Sequence, residues 1–317
     1  MLQLEVGFQL MDLLIELHKM SIIHTLRREG RRFGINETSP PAYNPIVVNW
    51  QNRVVNGGGP SPSIATLNIL NTFYNGLVSN GLDTLMVNVN CFVPDSLQAA
   101  LTPLIATSGN GSPSGTNVNS WVNVNFISTD LSVNGLKGNG STKYLNSGVI
   151  PSNCLGAQSA GVTIYNTFSE VSTNVDFGAN NGNGNSQIML ILNYTGPGAF
   201  FDVYSDSSGR INGSAALAGG VGYTSGNRTN STTSYLYKAT SVIAHTSFAG
   251  PGGTNTASAP SRECYFYIYN SAGSPAGTPV AKQFSFAAIH FGLTSAQSSI
   301  FFNLIQAMRT SLGGGYV

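Results

Sequence analysis

The N-terminal 37 residues combine two hydrophobic patterns. Residues 2–10 alternate apolar with polar side chains, which is the period of a β-strand. From there to about Arg28 the apolar side chains follow the spacing of a helix. The apolar positions of this helical stretch are Leu10, Leu13, Leu14, Leu17, Ile22 and Ile23. A short terminal element cannot bury such a face alone, so we expect residues 1–37 to be an anchor that docks either on the rest of the chain or on a neighbouring subunit.

Residues 38–118 are predicted to form a linker and a small helical region. Proline- and glycine-rich stretches on both sides of Trp50 are typical of a linker. Ser61 and Ser63 are both good N-caps for the helix that follows, and the helix is expected to end at Asn80. Apolar side chains fall on one side of this helix, so we expect that side to be packed.

From Trp121 onward the pattern changes to that of short strands. Apolar runs alternate with turns that are rich in Gly, Asn and Ser, and the helical period is almost absent. The predicted strands are Val122–Phe126, Val162–Phe168, Ile188–Tyr194, Ala199–Tyr204, Tyr235–Ile243, Tyr265–Tyr269 and Phe284–His290. Short strands with such turns are typical of an antiparallel β-sandwich, so we predict a mainly β domain over residues 119–317.

An amphipathic helix is predicted at the end of that domain. Thr294 and Gln297 have the spacing of a capping box, and Gly313 stands where a helix commonly ends. The apolar stripe between them is Ile300, Phe301, Leu304, Ile305, Met308 and Leu312. We expect this helix to close one side or one edge of the sandwich.

The charge content of the chain narrows the range of functions. The 317 residues carry 14 basic and 13 acidic side chains, a charged fraction of 9%, whereas soluble domains average about 25%. Ten of these 27 charges lie in the first 37 residues. A net charge of +1 excludes the basic surface that nucleic-acid binders need, so no specific nucleic acid is expected as a partner. No apolar run reaches the ~18 residues of a membrane span.

The sequence offers no recognisable catalytic, metal or cofactor site. The three cysteines are far apart in the chain, and the four histidines lack ligand spacing. His290 lies in an apolar strand and is interpreted as a structural histidine. The residues around Ser159 (AQSAG) are close to the nucleophile-elbow pattern, but their surroundings predict strand–loop–strand rather than strand–turn–helix. Because no carboxylate pair can be named either, we predict a non-enzymatic protein without a cofactor.

A row of tyrosines is the candidate binding surface. Tyr265, Tyr267 and Tyr269 alternate along a predicted strand, which would place the three rings on one face of the sheet. Tyr235 and Tyr237 repeat the spacing in another strand. Packing of these rings in the core is the favoured interpretation, because buried aromatic side chains dominate cores, and an aromatic platform for glycans is the alternative.

Several motifs resemble those of one class of proteins. The run Gly135–Gly148, GLKGNGSTKYLNSG, is similar to a motif of bacteriophage virion proteins with a concanavalin-like, or laminin-G-like, jelly-roll sandwich. The same proteins have a preceding helix similar to Ile64–Val78, a turn similar to Asn227–Thr229 that opens a strand, and an end similar to Phe291–Gln297 that leads into a terminal helix. The resemblance covers roughly residues 45–317 and implies a jelly-roll sandwich in a virion component.

Two functions remain open from the sequence. The first is a structural protein on the surface of a phage particle, as a head decoration, fibre or tail-associated protein, with other virion proteins as partners and with homo-oligomers expected. An uncharged exterior and an apolar N-terminal anchor agree with this function. The second is an adhesin that recognises host-surface carbohydrate. The sequence names no residue that would decide between a head and a tail position.

Overall fold

Strands account for most of the secondary structure among the described residues. The computed structural model describes residues 42–106, 120–156, 158–168, 170–182, 186–194, 198–204, 210–212, 220–230, 234–241, 244–249 and 258–315. The proposed anchor residues Leu10, Leu13, Leu14, Leu17, Ile22 and Ile23 lie outside these ranges. In chain order the described strands are β1 Met86–Asn90, β2 Ile105–Ala106, β3 Val122–Val124, β4 Leu131–Ser132, β5 Gly135–Lys137, β6 Tyr144–Asn146, β7 Ala160–Phe168, β8 Phe177–Asn180, β9 Gln187–Ile191, β10 Phe200–Val203, β11 Ile211–Asn212, β12 Gly222–Arg228, β13 Ser234–Ser241, β14 Ala244–Ala249, β15 Tyr265–Phe266, β16 Tyr269–Ser271, β17 Ser274–Ala276 and β18 Gln283–His290.

The strands form two sheets. Sheet A has the order β14-β13-β12-β7-β18-β1-β2, with β5 beside β18 and β4 beside β5. Sheet B has the order β11-β10-β9-β8-β15-β6-β3, with β16 and β17 attached to β8. Among the described strands, β16 against β8 is the one parallel pair, and the other pairs are antiparallel. The prediction of a mainly β, antiparallel, jelly-roll-like sandwich is confirmed.

Side-chain alternation explains the faces of sheet A. In β7 the side chains of Val162 and Ile164 are fully buried in the apolar cluster between the two sheets. Tyr165, the next residue, belongs instead to a second apolar cluster on the other side of the sheet. Because successive side chains of a strand point to opposite faces, both faces of sheet A are buried, and β7 therefore reads as a continuous apolar run.

A layer of helices covers the outer face of sheet A. The described helices are α1 Pro45–Asn56, α2 Ile64–Ser79, α3 Leu97–Leu101, α4 Pro151–Cys154 and α5 Ser295–Ser311. Residues of α1, α2 and α5 share one apolar cluster with Tyr165 and Phe286 of sheet A. Gly76 of α2 allows close helix packing, because a Cβ atom there would lie 2.5 Å from Cδ2 of Leu304 in α5. Among the described residues, no helix has both the length and the apolar character needed to cross a bilayer.

The predicted caps match the ends of two of these helices. The Ser63 hydroxyl accepts a hydrogen bond from the backbone N–H of Thr66, at 3.1 Å, and α2 begins at the next residue. Thr294 and Gln297 form the predicted capping box at the start of α5. Gly313, with φ +87°, follows the end of the same helix, where a left-handed backbone is favourable for glycine. The capping signals in the sequence are therefore confirmed.

One detail of the sequence interpretation was wrong. The stretch around Trp50, interpreted as a linker, contains helix α1, because the indole is buried and its Nε1–H donates to the backbone oxygen of Thr102 at 2.9 Å.

The run Gly135–Gly148 crosses between the sheets, since β5 belongs to sheet A and β6 to sheet B. Asn139 holds this crossing, because its Oδ1 accepts hydrogen bonds from three successive backbone N–H groups, those of residues 141–143.

Candidate functional site

The outer face of sheet B carries the candidate site. Leu145, Phe177, Leu190 and Phe201 point into the core between the sheets. Their neighbours along β6, β8, β9 and β10 therefore point outward. Further aromatic and polar side chains from adjacent segments contact them. We call the whole set the outer band, which consists of Tyr144, Tyr265, Tyr269, Gln187, Asp202, Arg210, Phe200 and Tyr194.

Two stacked tyrosines form one end of the outer band. The rings of Tyr144 and Tyr265 lie 5.5 Å apart between centroids, with an interplanar angle of 28°. Tyr265 is 8% exposed and Tyr144 is half-buried. Burial raises the pKa of Tyr265, and the neighbouring carboxylate of Glu263 raises it further. The Tyr265 hydroxyl therefore stays protonated at neutral pH and can donate a hydrogen bond.

Tyr269 lies in the middle of the outer band, above a glycine. A Cβ atom on Gly178 would lie 2.7 Å from Cδ2 of Tyr269, so the ring can approach the strand only because residue 178 has no side chain. The Tyr269 hydroxyl donates to Oε1 of Gln187 at 3.1 Å. Burial raises the pKa of Tyr269, which keeps this hydroxyl a donor.

A buried carboxylate organises the polar end of the outer band. Asp202 is fully buried, and its Oδ2 accepts from Nε2 of Gln187 at 2.9 Å. Arg210 binds the same carboxylate with two groups, Nε to Oδ1 at 2.9 Å and Nη2 to Oδ2 at 2.8 Å. These hydrogen bonds to Asp202 raise the pKa of Arg210. Such a two-point ion pair fixes the plane of the guanidinium.

Aromatic rings surround that guanidinium. Its Cζ lies 5.6 Å from the centroid of the Phe200 ring, and the Tyr194 ring meets Phe200 edge-on at 4.9 Å. The Arg210 side chain is 31% exposed. Nη1 of Arg210 makes no hydrogen bond with the part of the chain that the structure describes. A fixed donor beside aromatic side chains is suited to a polar ligand with apolar faces.

The three tyrosines of the sequence prediction do not share a face. Tyr267 has a left-handed backbone, φ +69°, and the chain turns there between β15 and β16. Its ring stacks on Phe284 at 4.2 Å in the core, and its hydroxyl donates to the backbone oxygen of Leu136 at 2.5 Å. The expected alternation was wrong because the strand is interrupted at this residue. Tyr265 and Tyr269 remain together on the outer face, because both pair with Gly178 of β8.

Most of the polar end of the outer band was not found from the sequence. Gln187 and Arg210 belong to no motif, and they come together only through the pairing of β9, β10 and β11. A signal did exist for Asp202, because Phe200 and Asp202 alternate with the core residues Phe201 and Val203. Reading the stretch as one apolar run concealed that alternation.

Other residues considered from the sequence have structural roles. His290 is fully buried; its Nδ1–H donates to the backbone oxygen of Phe291 at 2.7 Å, and its Nε2 lies 2.8 Å from the Thr163 hydroxyl. The interpretation of His290 as a structural histidine is confirmed. Ser159 directly precedes strand β7 rather than a helix, and its hydroxyl accepts from the backbone N–H of Gly292. In the described ranges, no group of His, Cys, Asp and Glu side chains could hold a metal ion.

Comparisons with known proteins give similarity in structure alone. No protein-family model and no curated protein sequence matches the chain. Domain 4 of a GH43 extracellular arabinanase from Geobacillus stearothermophilus, solved with arabinotriose, has 14% identity and a TM-score of 0.46, covering 70% of this chain and 98% of that one. The carbohydrate-binding module CBM40 of a Ruminococcus gnavus sialidase has 14% identity and a TM-score of 0.32, covering 46% and 83%. A GH54 α-L-arabinofuranosidase has 9% identity and a TM-score of 0.34, covering 70% and 48%. Similarity at this level does not carry a ligand or an activity over to this chain.

Proposed function

We propose that this chain is a non-enzymatic, carbohydrate-binding β-sandwich that acts on the surface of a bacteriophage particle. The outer band is the observation that carries the binding proposal. It combines stacked tyrosine rings with a guanidinium fixed by Asp202 and an amide fixed by Tyr269 and Asp202. Sugars have apolar C–H faces that pack on aromatic rings, and their hydroxyls pair with such fixed donors and acceptors.

The expected ligand is a neutral glycan. The charge of Arg210 is offset by Asp202, so the outer band has no excess charge at its polar end. The chain as a whole has a net charge of +1 and a charged fraction of 9%. Recognition would therefore depend on hydrogen bonds and ring packing rather than on ionic attraction, and binding should depend little on salt.

Binding without turnover is proposed because the carboxylate of Asp202 is already engaged. Both of its oxygens accept hydrogen bonds from Arg210, and one also accepts from Gln187. A general acid or a nucleophile in glycoside hydrolysis has to reach the scissile bond with a free oxygen. We expect oligosaccharides to be recovered unchanged after incubation with the protein.

The binding proposal is tested with glycan arrays and calorimetry. The full chain is applied to a printed array of neutral oligosaccharides and bacterial surface polysaccharides, and the strongest binder is then titrated. Arg210→Ala and Tyr144→Ala are each expected to weaken binding at least about tenfold. Tyr235→Ala is the matched control, because Tyr235 is also half-buried and stacks on a tyrosine, Tyr237, but in sheet A. No binding on the array, or equal affinities for all variants, would overturn the proposal.

The virion role is a separate part of the proposal. The resemblance of Gly135–Gly148 to phage structural proteins and the uncharged composition support it. We expect the protein in purified particles, in several copies related by symmetry, and with residues 1–37 required for attachment. Deleting residues 1–33 should leave a soluble protein that no longer co-sediments with particles. Recovery of the truncated protein on assembled particles would contradict this role while leaving glycan binding untouched.

A further inference from the structure

A buried ion pair connects the two sheets at one end of the sandwich. Lys282 directly precedes β18 of sheet A, and Asp176 directly precedes β8 of sheet B. Nζ of Lys282 lies 2.7 Å from Oδ2 of Asp176, and both side chains have zero exposure. The outer band does not include this pair, and the proposed function makes no use of it.

The carboxyl group of Asp176 is poorly compensated for a buried charge. Its Oδ2 accepts hydrogen bonds from Lys282 and from the backbone N–H of Leu192 at 2.7 Å, but its Oδ1 has no hydrogen-bond partner among the described residues. Burial raises the pKa of Asp176 despite the neighbouring ammonium. Taking two charges out of water costs several kcal/mol per ion, so a reaction that removes both charges is favoured here.

A second amine lies close to the pair. Lys238 of β13 is 2% exposed, and its Nζ donates to the Thr224 hydroxyl at 3.1 Å. Burial, followed by the charge of Lys282, lowers the pKa of Lys238 to about 7. A substantial part of Lys238 is therefore neutral at neutral pH, so it adds little positive charge beside the pair.

We propose that Lys282 and Asp176 condense to an isopeptide bond that joins sheet A to sheet B. Lys282 first transfers a proton along its hydrogen bond to Oδ2 of Asp176, so that its Nζ becomes a neutral nucleophile and the carboxyl group a neutral acid. This nitrogen attacks Cγ of Asp176, a C–N bond forms and a C–O bond breaks. The nitrogen loses two protons in total, and both leave with one carboxyl oxygen as a single water molecule. Nothing is oxidised or reduced.

The contact between Lys282 and Asp176 favours this step, because the two reacting groups are already held together. Well-oriented groups held in contact react as if at effective concentrations of about 10⁵–10⁸ M. The chain also contains a matched pair that lacks the dry surroundings: Nζ of Lys143 lies 2.5 Å from Oδ2 of Asp130, but these side chains are 14% and 16% exposed. Water can solvate the second pair, so it is expected to remain an ion pair.

Mass spectrometry of the full chain tests the proposal. Under denaturing conditions the protein should be lighter than its sequence by the mass of one water. A tryptic digest should contain one branched peptide that joins the segments around Asp176 and Lys282, with no cleavage after Lys282. Lys282→Ala and Asp176→Ala should each restore the full mass expected for the variant, whereas Lys143→Ala should still lack one water.

The branched peptide is the decisive observation. Succinimide formation at an Asn–Gly step would also lower the mass, by one ammonia rather than one water, and it would not connect two peptides. Linear peptides that contain unmodified Asp176 and Lys282, in protein of full mass, would overturn the proposal even if neither variant folds. Glycan binding is measured independently, so this outcome would leave the proposed function standing.

Discussion

The outer faces of the two sheets differ in what lies on them. Sheet A is covered by helices α1, α2 and α5, which bring apolar side chains such as Trp50 and Phe301 onto it. Sheet B carries the outer band, in which polar groups are satisfied mainly by their neighbours on adjacent strands. Both outer faces carry aromatic side chains, so these alone do not single out a candidate binding face. What distinguishes sheet B is that fixed donors lie beside its rings.

Removing a ring from the helix-covered face should have the largest effect. Phe301 of α5 is fully buried, and its ring meets those of Phe286 and His290 at 5.6 and 5.9 Å. Phe301→Ala should lower the free energy of unfolding by about 3–5 kcal/mol, measured by urea denaturation. Ile64→Ala is the control, since Ile64 is 71% exposed, and it should change stability by less than about 0.5 kcal/mol. Equal losses of stability in Phe301→Ala and Ile64→Ala would mean that packing of α5 on sheet A contributes little to the stability of the protein.

Acid should weaken the helix-covered face through His290. Burial lowers the pKa of His290 to about 4, whereas the unfolded chain binds this proton near pH 6.5. The unfolded state therefore holds more protons between these values, and the free energy of unfolding should fall by roughly 3 kcal/mol as the pH drops from 6.5 to 4. Denaturation curves of the wild-type protein and of His290→Gln should diverge over this range. Parallel pH dependences would contradict the assignment.

A smaller loss of stability is expected when Asp202, at the polar end of the outer band, is replaced. Asp202→Asn keeps the shape of the side chain but removes the charge that holds Arg210. Stability should fall by about 1–3 kcal/mol, and glycan affinity should fall with it. Asp130→Asn, which weakens the partly exposed pair with Lys143, should cost less than about 1 kcal/mol and leave affinity unchanged. If both variants lose affinity equally, the site lies elsewhere.

The smallest effect is expected from a single hydroxyl. Tyr269→Phe removes the hydrogen bond to Gln187 and leaves the ring above Gly178. We expect a loss of about 1 kcal/mol in stability, seen in thermal unfolding, and a several-fold weaker affinity in calorimetry. Tyr235→Phe in sheet A should not change the affinity. If Tyr269→Phe binds the glycan with wild-type affinity, the Gln187 amide takes no part in recognition.

The sequence predicted the sandwich and the terminal helix because their signals are local. Ser63, Thr294 and Gly313 lie within one turn of the helix ends that they cap. The apolar run of β7 indicates a strand that is buried on both faces. Helix α1 was missed because the flanking proline and glycine clusters resemble a linker. The hydrogen bond that fixes this helix, from Trp50 to Thr102, joins residues that lie far apart in the chain, so no local pattern predicts it.

The candidate site was only partly predictable for a related reason. Tyr265 and Tyr269 were identified from their spacing, but the left-handed backbone at Tyr267 has no simple sequence signal, since tyrosine rarely adopts it. The pairing of Asp202 with Arg210 depends on the register of β10 against β11. Register is set by the whole sheet, so a motif search along the chain does not detect it.

The position of β18 has a consequence for how the protein is made. This strand follows β1 only after many intervening elements, yet it lies inside sheet A, between β7 and β1. Its pairing of His290 with Met86 joins it to a strand synthesised much earlier. The sheet therefore stays open on the ribosome until β18 has been translated, and contacts of such long range make folding slow. A premature stop codon before Gln283 would leave a chain without an inner strand of this sheet, which chaperones and proteases would have to handle.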